Sequence, residues 1–309
     1  MMPRVSTAPD HSHPVLGIVL KFGSVVMLAM MAACVKYLGS GVPAGQAIFF
    51  RGSIAMIVIA FVAWRTDGLH VLKTKNWRAH ASRSLAGSIS MFCWFTALTM
   101  IPLAEMTAIS FTTPLFLTVL AMVFLAERIH WYRWTALGMG FAGVVVIVAP
   151  QLTGEFGSAL GVGIGLASAV LASFALMFLR RMSRQEHALT ITFYFFLTST
   201  VLASLSTLVV GWHFPSPTEW VVFGLIGLFG VTGQLLMTYS YRHAEASLIA
   251  PLDYASLLVA VLIGFYVFAE VPHVATWVGA PLVIAAGAII LWREYAKLKA
   301  IRSAQRIAP

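Results

Sequence analysis

Charged residues are scarce in this chain of 309 residues, since Asp, Glu, Lys and Arg make up only 10% of it. Soluble domains carry about 25% charged residues. Apolar residues make up 60% of the chain, so a fold in water could not cover its surface with polar side chains. The scarcity of charge excludes a soluble globular domain and predicts a membrane protein, in which each span needs about 20 mostly apolar residues.

Cysteine is also scarce, which excludes a fold held together by a disulfide framework. The two cysteines, Cys34 and Cys93, lie inside apolar runs and outside any CxxC spacing, so we interpret them as small hydrophobic residues. The first residues, "MMPRVSTAPDHSHP", lack the apolar core of a signal peptide. Residues 1–14 are therefore expected to form a tail, and the first apolar run is expected to be a retained span.

Enzyme motifs are absent: the chain has no HExxH, no GxSxG and no glycine-rich nucleotide loop. All nine histidines are predicted to fall in tails or connections, whereas a membrane metalloenzyme or a Ser–His hydrolase needs several of them together. We therefore expect no catalytic residue, metal or cofactor. An integral-membrane enzyme acting on a lipid or lipid-linked substrate stays open as the alternative, as does a membrane scaffold that transports nothing.

Ten apolar runs are long enough to cross a bilayer, and only helices or closed barrels satisfy their backbone groups in lipid. Continuous runs of this length predict an all-α integral membrane protein with ten transmembrane helices. The predicted spans are 15–37, 44–64, 81–100, 103–125, 132–149, 159–179, 189–211, 220–239, 246–269 and 274–292.

Basic residues are concentrated in every second connection. The connections after spans three, five, seven and nine have no Lys or Arg, and Arg83 lies just beyond the connection that follows the second span. This asymmetry predicts that both termini are cytoplasmic. The same asymmetry accounts for the net charge of +9. We therefore expect no nucleic-acid partner. The basic residues of the even-numbered connections and the C-terminal tail are Arg65, Lys73, Lys75, Arg78, Arg128, Arg133, Arg180, Arg181, Arg184, Arg242, Arg293, Lys297, Lys299, Arg302 and Arg306.

A ten-residue motif occurs twice, as "LAERIHWYRW" (125–134) and "FAEVPHVATW" (268–277), with an offset of 143 (270 − 127 = 143). A second match joins "PLAEMTAIS" (102–110) to "RHAEASLIA" (242–250). The first motif ends the fourth span and its copy ends the ninth, on opposite sides of the membrane. Five spans per half therefore predict two inverted repeats, 15–150 and 159–292, followed by a basic cytoplasmic tail, 293–309. Inverted repeats are typical of secondary transporters, which bind substrate near the midplane.

The chain resembles the drug/metabolite transporter superfamily, in particular its EamA type. The resemblance is carried by the stretch "WFTALTMIPLAEMTAISFTTPLFLTVLAMVFLAERIHWYRWTALGMGFAGVVVIVAP" (94–150) and by "APLDYASLLVAVLIGFYVFAEVPHVATW" (250–277). The stretch "QAIFFRG" (46–52) is similar to the second span of S-adenosylmethionine and riboflavin carriers. The resemblance implies a ten-helix carrier of small organic metabolites and does not identify the substrate.

Charge inside a span or at its outer end is expensive unless it faces a cavity or a partner, and we consider Arg51, Glu105 and Lys36 in this light. Arg51 lies about seven residues into the second span, or roughly 10 Å along a helix. It is a candidate for binding a substrate carboxylate or phosphate, with Glu105 as gate or counter-ion. The alternatives are a structural pair of Arg51 with Glu105, or a snorkelling side chain, which we favour for Lys36.

Asp253 lies about seven residues from the cytoplasmic end of the ninth span, between Pro251 and Tyr254. In the fourth span Thr112 and Thr113 directly precede Pro114. Paired interruptions by proline indicate a transporter site, although packing kinks would give the same pattern. Burial disfavours the charged form of a carboxylate, so Asp253 is the candidate for proton coupling. The alternative is a permanent ion pair with a Lys or Arg that sequence spacing does not identify.

Polar and aromatic residues of the third and eighth spans complete the candidate substrate pocket: Ser88, Met91, Trp94, Gln234 and Thr238. Ordinary helix packing is the alternative for each of them. The sequence thus predicts a secondary transporter that moves a small organic metabolite across the bacterial inner membrane by alternating access. Its basic C-terminal segment is expected to be a juxtamembrane helix or tail that contacts anionic membrane lipids.

Overall fold

A computed structural model describes residues 14–66, 68–125, 131–152, 156–182, 186–243 and 250–307, and the regular elements of these residues are all helical. The prediction of an all-α protein is therefore confirmed. Short 3-10 segments cover Leu69–Leu72 and Ala250–Tyr254. The α-helices are α1 (Pro14–Leu38), α2 (Ala44–Thr66), α3 (Trp77–Leu98), α4 (Leu103–Ser110), α5 (Thr113–Leu125), α6 (Trp131–Leu152), α7 (Phe156–Met182), α8 (Ala188–Val210), α9 (Pro217–His243), α10 (Ala255–Phe268) and α11 (Val274–Ile307).

The outer surface of the bundle is suited to lipid. Six segments of the described chain are long and apolar enough to cross a membrane, and three shorter apolar helices accompany them. Large apolar side chains are exposed on single helix faces, such as Ile57, Phe61 and Trp64 of α2. Spacings of four and three residues put these three on one side of the helix. An apolar face of this kind is unfavourable in water and favourable in the hydrocarbon of a bilayer.

Two of the predicted spans are interrupted where the sequence places prolines. The fourth is divided into α4 and α5, and Pro114 is the second residue of α5, where the missing N–H is not needed. Thr112, in the gap, donates a hydrogen bond to the Ile109 carbonyl at 2.7 Å. In the ninth, the 3-10 segment Ala250–Tyr254, which contains Pro251, precedes α10. Among the described residues, each half of the chain therefore has a predicted span with irregular helical backbone beside a proline.

One expectation about element ends needs correction. His80 was expected in a connection, but it lies in the first turn of α3 and is buried, because the helix begins at Trp77. The basic C-terminal segment continues the last helix, since α11 reaches Ile307. Several residues of the repeated motifs lie outside the described residues: Glu127, Arg128, His130 and Glu245.

The helices pack mainly in four pairs: α1 with α9, α3 with α7, α2 with α8, and α6 with α11. The Ser24 hydroxyl of α1 donates to the Gly233 carbonyl of α9 at 2.8 Å, and the Ser90 hydroxyl of α3 donates to the Ser168 carbonyl of α7, also at 2.8 Å. Each pair therefore joins a helix from the first half of the chain to one from the second half, so the bundle cannot be divided into two independent domains.

The crossing of α6 and α11 depends on glycine, and Gly143→Ala is expected to destabilise the protein. A Cβ atom at Gly143 would lie 2.7 Å from the Gly279 carbonyl oxygen, closer than real Cβ contacts. Overpacking of this kind costs about 1–3 kcal/mol. The matched control is Gly138→Ala on the same helix, where a Cβ meets nothing within 4 Å. The unfolding temperature in detergent should fall for the first variant only, and an equal fall in both would contradict the packing.

Candidate functional site

A buried lysine on α1 forms an ion pair with Asp253. The ammonium of Lys21 lies 2.6 Å from the carboxylate, and the Lys21 side chain is 2% exposed while that of Asp253 is 50% exposed. A buried charge is tolerated when a close opposite charge compensates its lost hydration. Lys21 was not among the predicted site residues, although a lysine well inside the apolar run 15–37 was a signal for it. The geometry matches the alternative left open for Asp253, a pair with a basic residue.

The broken helices of the two halves meet beside this ion pair. Tyr254 packs its ring edge-on against Phe111, with centroids 5.3 Å apart. Phe111 lies in the gap between α4 and α5, and Tyr254 ends the 3-10 segment. The Ser256 hydroxyl donates to the Asp253 carbonyl at 2.6 Å, which holds the first turn of α10 against that segment. The two prolines thus place irregular backbone at one position inside the bundle.

A second ion pair closes the other end of α1. The Lys36 ammonium lies 2.8 Å from Glu270 and donates to the Ile101 carbonyl at 2.8 Å. The other carboxylate oxygen of Glu270 accepts a hydrogen bond from the Leu103 amide at 3.1 Å. Ala269 ends α10 with φ of 54°, a left-handed conformation that is costly outside glycine and that turns Glu270 toward Lys36. The Lys36 ammonium is therefore held in an ion pair and does not extend freely toward the membrane surface.

The two ion pairs hold α1 to one continuous segment of the second half. Lys21 and Lys36 are 15 residues apart (36 − 21), or about 22 Å along a helix. Asp253 and Glu270 lie just before and just after α10. Contacts at opposite ends of α1 thus join the first helix to the broken ninth span, across the boundary between the two halves.

Arg51 is buried in α2, with 7% of its surface exposed. Its guanidinium contacts the sulfur of Met91 and lies 5.2 Å from the centre of the Phe196 ring. Its Nε atom is buried and finds no hydrogen-bond partner among the described residues. Arg51 and Glu105, which are both described, form no ion pair with each other. Glu105 is buried in the first turn of α4, so the proposed structural pair is not what neutralises Arg51.

The predicted polar anchors Gln234 and Thr238 line a small, partly open pocket between α2, α8 and α9. The Thr238 hydroxyl is used within its own helix, since it donates to the Gln234 carbonyl at 2.9 Å. Phe196 forms part of the pocket wall, and the same ring lies against Arg51. The pocket and the buried arginine are therefore neighbours.

Of the other predicted site residues, one makes a helix contact and three lie near the gap between α4 and α5. Ser88 is fully buried and shares a hydrogen bond of 2.7 Å with Ser199 of α8, which is a helix contact. The indole of Trp94 donates to the Ser110 hydroxyl at 3.1 Å and thereby reaches the end of α4. Thr112 caps that same helix end, and Thr113, the first residue of α5, is half-buried.

Comparison with known proteins identifies the family to which the chain is similar. The model of the EamA-like transporter family matches residues 15–149 and again residues 159–292. A solved crystal structure with 20% identity covers 89% of this chain and 96% of its own, with a TM-score of 0.61, which shows a common fold.

Named relatives cover nearly the whole chain. The S-adenosylmethionine uptake transporter of Rickettsia felis is 30% identical over 84% of this chain and 86% of its own. The pseudopaline exporter CntI of Pseudomonas aeruginosa is 28% identical over 87% and 94%, and the riboflavin transporter of Rhizobium johnstonii is 26% identical over 95% and 96%. These proteins are transporters, which confirms the predicted class over the enzyme alternative. The chain is a multi-pass membrane protein that belongs to the EamA-like transporter family.

Proposed function

We propose that this chain is a secondary transporter that moves a small organic metabolite across the bacterial inner membrane by alternating access. The observation that carries the proposal is Arg51, a buried cation without a carboxylate partner among the described residues, inside a protein of a transporter family. Charge at such a position is expensive and is typical of a substrate path. The relatives named above transport organic compounds, which supports the same substrate class here.

The proposed architecture is ten transmembrane helices in two inverted repeats, 15–150 and 159–292. The helix pairs support it, because exchanging the halves turns α1–α9 into α7–α3 and leaves the other two main pairs unchanged. The interhelical hydrogen bonds support it too. Ser24 corresponds to Ser168 (168 − 24 = 144) and Ser90 to Gly233 (233 − 90 = 143), so the two bonds join equivalent positions, although the donor is Ser24 in one and Ser90, the equivalent of Gly233, in the other.

Alternating access is supported by the different exposure of the two ends of α1. The Lys36–Glu270 pair is mostly buried and bridges the first half to the second half. Asp253, near the other end, is half exposed. We assign the described conformation to a state that is closed at Lys36 and accessible to water at Asp253. Transport then requires the Lys36–Glu270 contact to open in another state, with Glu105, buried in the neighbouring turn, as part of that gate.

Within the site, Arg51 binds an anionic group of the substrate, since a guanidinium donates bidentate hydrogen bonds to carboxylates and phosphates. Met91, Trp94 and Tyr254 provide apolar and aromatic walls. The remaining members of the proposed site supply polar groups beside the two prolines and in the pocket: Thr112, Thr113, Gln234, Thr238 and Asp253.

The proposed function is tested by flux into proteoliposomes. Purified protein should accelerate the uptake of at least one compound from a panel of labelled amino acids, nucleosides, riboflavin and S-adenosylmethionine, relative to protein-free vesicles. Product formation from a compound that does not cross the membrane would instead favour the enzyme alternative.

Locking the Lys36 end should stop that flux. In a protein with Cys34 and Cys93 replaced by alanine, Lys36→Cys and Glu270→Cys are joined by a short bifunctional thiol reagent with a reducible link. Flux should disappear on linking and return on reduction, and each single cysteine variant serves as control. Undiminished flux in the linked protein would exclude alternating access through this end.

The proposed topology, with both termini cytoplasmic, is tested by labelling single cysteines in the same cysteine-free protein. Ser216→Cys, just before α9, should react with an impermeant thiol reagent in intact spheroplasts. Lys75→Cys, just before α3, should react only after lysis. The reverse pattern would invert the orientation.

We propose that the Lys21–Asp253 pair couples transport to protons, with the pair opening when the carboxylate takes up a proton. Removing the carboxylate takes from the buried Lys21 ammonium the ion pair that compensates its lost hydration, whereas replacing both partners is far less costly. Asp253→Asn alone should therefore lower the unfolding temperature, and the double variant Lys21→Met with Asp253→Asn should restore it.

In proteoliposomes with an imposed pH gradient, the double variant should exchange substrate at equal pH without accumulating it in response to the gradient. Accumulation that persists in the double variant would remove the pair from proton coupling and leave it a structural role.

A further inference from the structure

Arg83 is a second arginine that points into the bundle without an acidic partner. It lies two turns into α3, and its guanidinium carbon is 4.4 Å from the centre of the Phe195 ring. Its Nε and Nη1 atoms are buried and have no hydrogen-bond partner among the described residues. A Cβ atom at Gly87 would lie 3.3 Å from Nη1 and 3.0 Å from the Phe195 ring, so the glycine makes room for both groups.

Arg51 is held in the same way from the opposite side. It lies against Phe196, the next residue of α8, and a Cβ atom at Gly230 would lie 3.0 Å from its Nε atom. The rings of Phe195 and Phe196 are in contact, with centroids 5.3 Å apart. Two guanidiniums therefore flank one pair of aromatic rings, each placed between a phenylalanine and a glycine.

The two arginines also lie on the same side of α3. Arg83, Gly87 and Met91 follow each other at four-residue steps, which places them on one face of the helix. Met91 is the residue that Arg51 contacts. The face of α3 that carries Arg83 is thus the face toward Arg51.

Among the described residues, the carboxylates that form ion pairs are paired with other groups. Asp253 is paired with Lys21, and Glu270 with Lys36. Glu186 and Glu219 face His80 and His213. Buried guanidinium donors without an acidic partner are unfavourable in a low-dielectric interior, and contact with aromatic rings offsets only part of that cost. An anion whose acidic oxygens reach both guanidiniums would satisfy the buried donors.

We infer that Arg83 and Arg51 form one anion site, and that the transported metabolite carries a doubly negative region, either two carboxylates or a phosphate. Guanidiniums are suited to both groups because their planar donors match carboxylate and phosphate oxygens. This inference rests on the proposed transport function and adds Arg83 to its site.

The test measures the unfolding temperature of purified protein at constant ionic strength with four probes: succinate, glycerol 3-phosphate, acetate and succinamide. Succinate or glycerol 3-phosphate should raise the unfolding temperature of the wild type, because a ligand that binds only the folded state stabilises it. Acetate should act with clearly lower affinity and uncharged succinamide should have no effect. Whichever dianion acts identifies the carboxylate or the phosphate class.

Arg83→Met should weaken the dianion effect at least about tenfold, the loss expected for one charge-assisted hydrogen bond. Without probe, its unfolding temperature should equal or exceed that of the wild type, since an uncompensated buried charge is removed. Arg78→Met is the matched control, because Arg78 is exposed on the same helix and lies over Trp77. It should keep the full dianion effect.

Three outcomes would overturn the inference: no dianion effect on the wild type, an undiminished effect in Arg83→Met, or a lower unfolding temperature of that variant with the dianion effect intact. Flux measured on the same preparation separates the two proposals. Transport without any dianion effect leaves the transporter standing and removes the anion site, whereas a dianion effect without transport of any compound does the reverse.

Discussion

A charged side chain inside a membrane protein has no bulk water to stabilise it, and this constraint organises the bundle. Lys21 and Lys36 satisfy it with carboxylates before and after α10, so the first helix is held to the ninth span at two levels. Because burying a lysine without a partner is costly, the stability of the fold depends on both contacts. Any conformational change that separates α1 from α10 must supply water, a proton or a substrate group to the charges it exposes.

The placement of those carboxylates depends on irregular backbone. Asp253 lies in a 3-10 segment that begins beside Pro251, and Glu270 follows a left-handed residue, Ala269. In a regular helix that ran through both positions, the two side chains would point in different directions, so they could not both face α1. Non-helical backbone at membrane depth is tolerated where protein surrounds it, and here the contact between Phe111 and Tyr254 provides that surrounding.

The helix pairs follow the proposed repeat, but the charges do not. Under an offset of 143, Lys21 corresponds to Ile164 and Asp253 to Ser110 (164 − 21 = 143 and 253 − 110 = 143). The pair has no counterpart in the other half. Packing residues such as Ser24 and Ser168 keep the equivalence because both halves need the same helix contacts. The residues that would bind and couple are found where the halves differ.

The sequence alone was sufficient for the helical membrane fold and the transporter class, and its prolines marked the irregular backbone in the fourth and ninth spans. The fold follows from apolar run length and the irregular backbone from proline, which act through composition or locally. The class follows from the repeated motif and the family resemblance. Only the tertiary structure decided that Lys21 is the partner of Asp253, that Lys36 pairs with Glu270, and that Ser88 serves packing. Helical periodicity says which residues share a face of one helix, but not which helix that face meets. Lys21 and Asp253 lie near opposite ends of the chain, and only the packing of α1 beside the ninth span brings them within 2.6 Å.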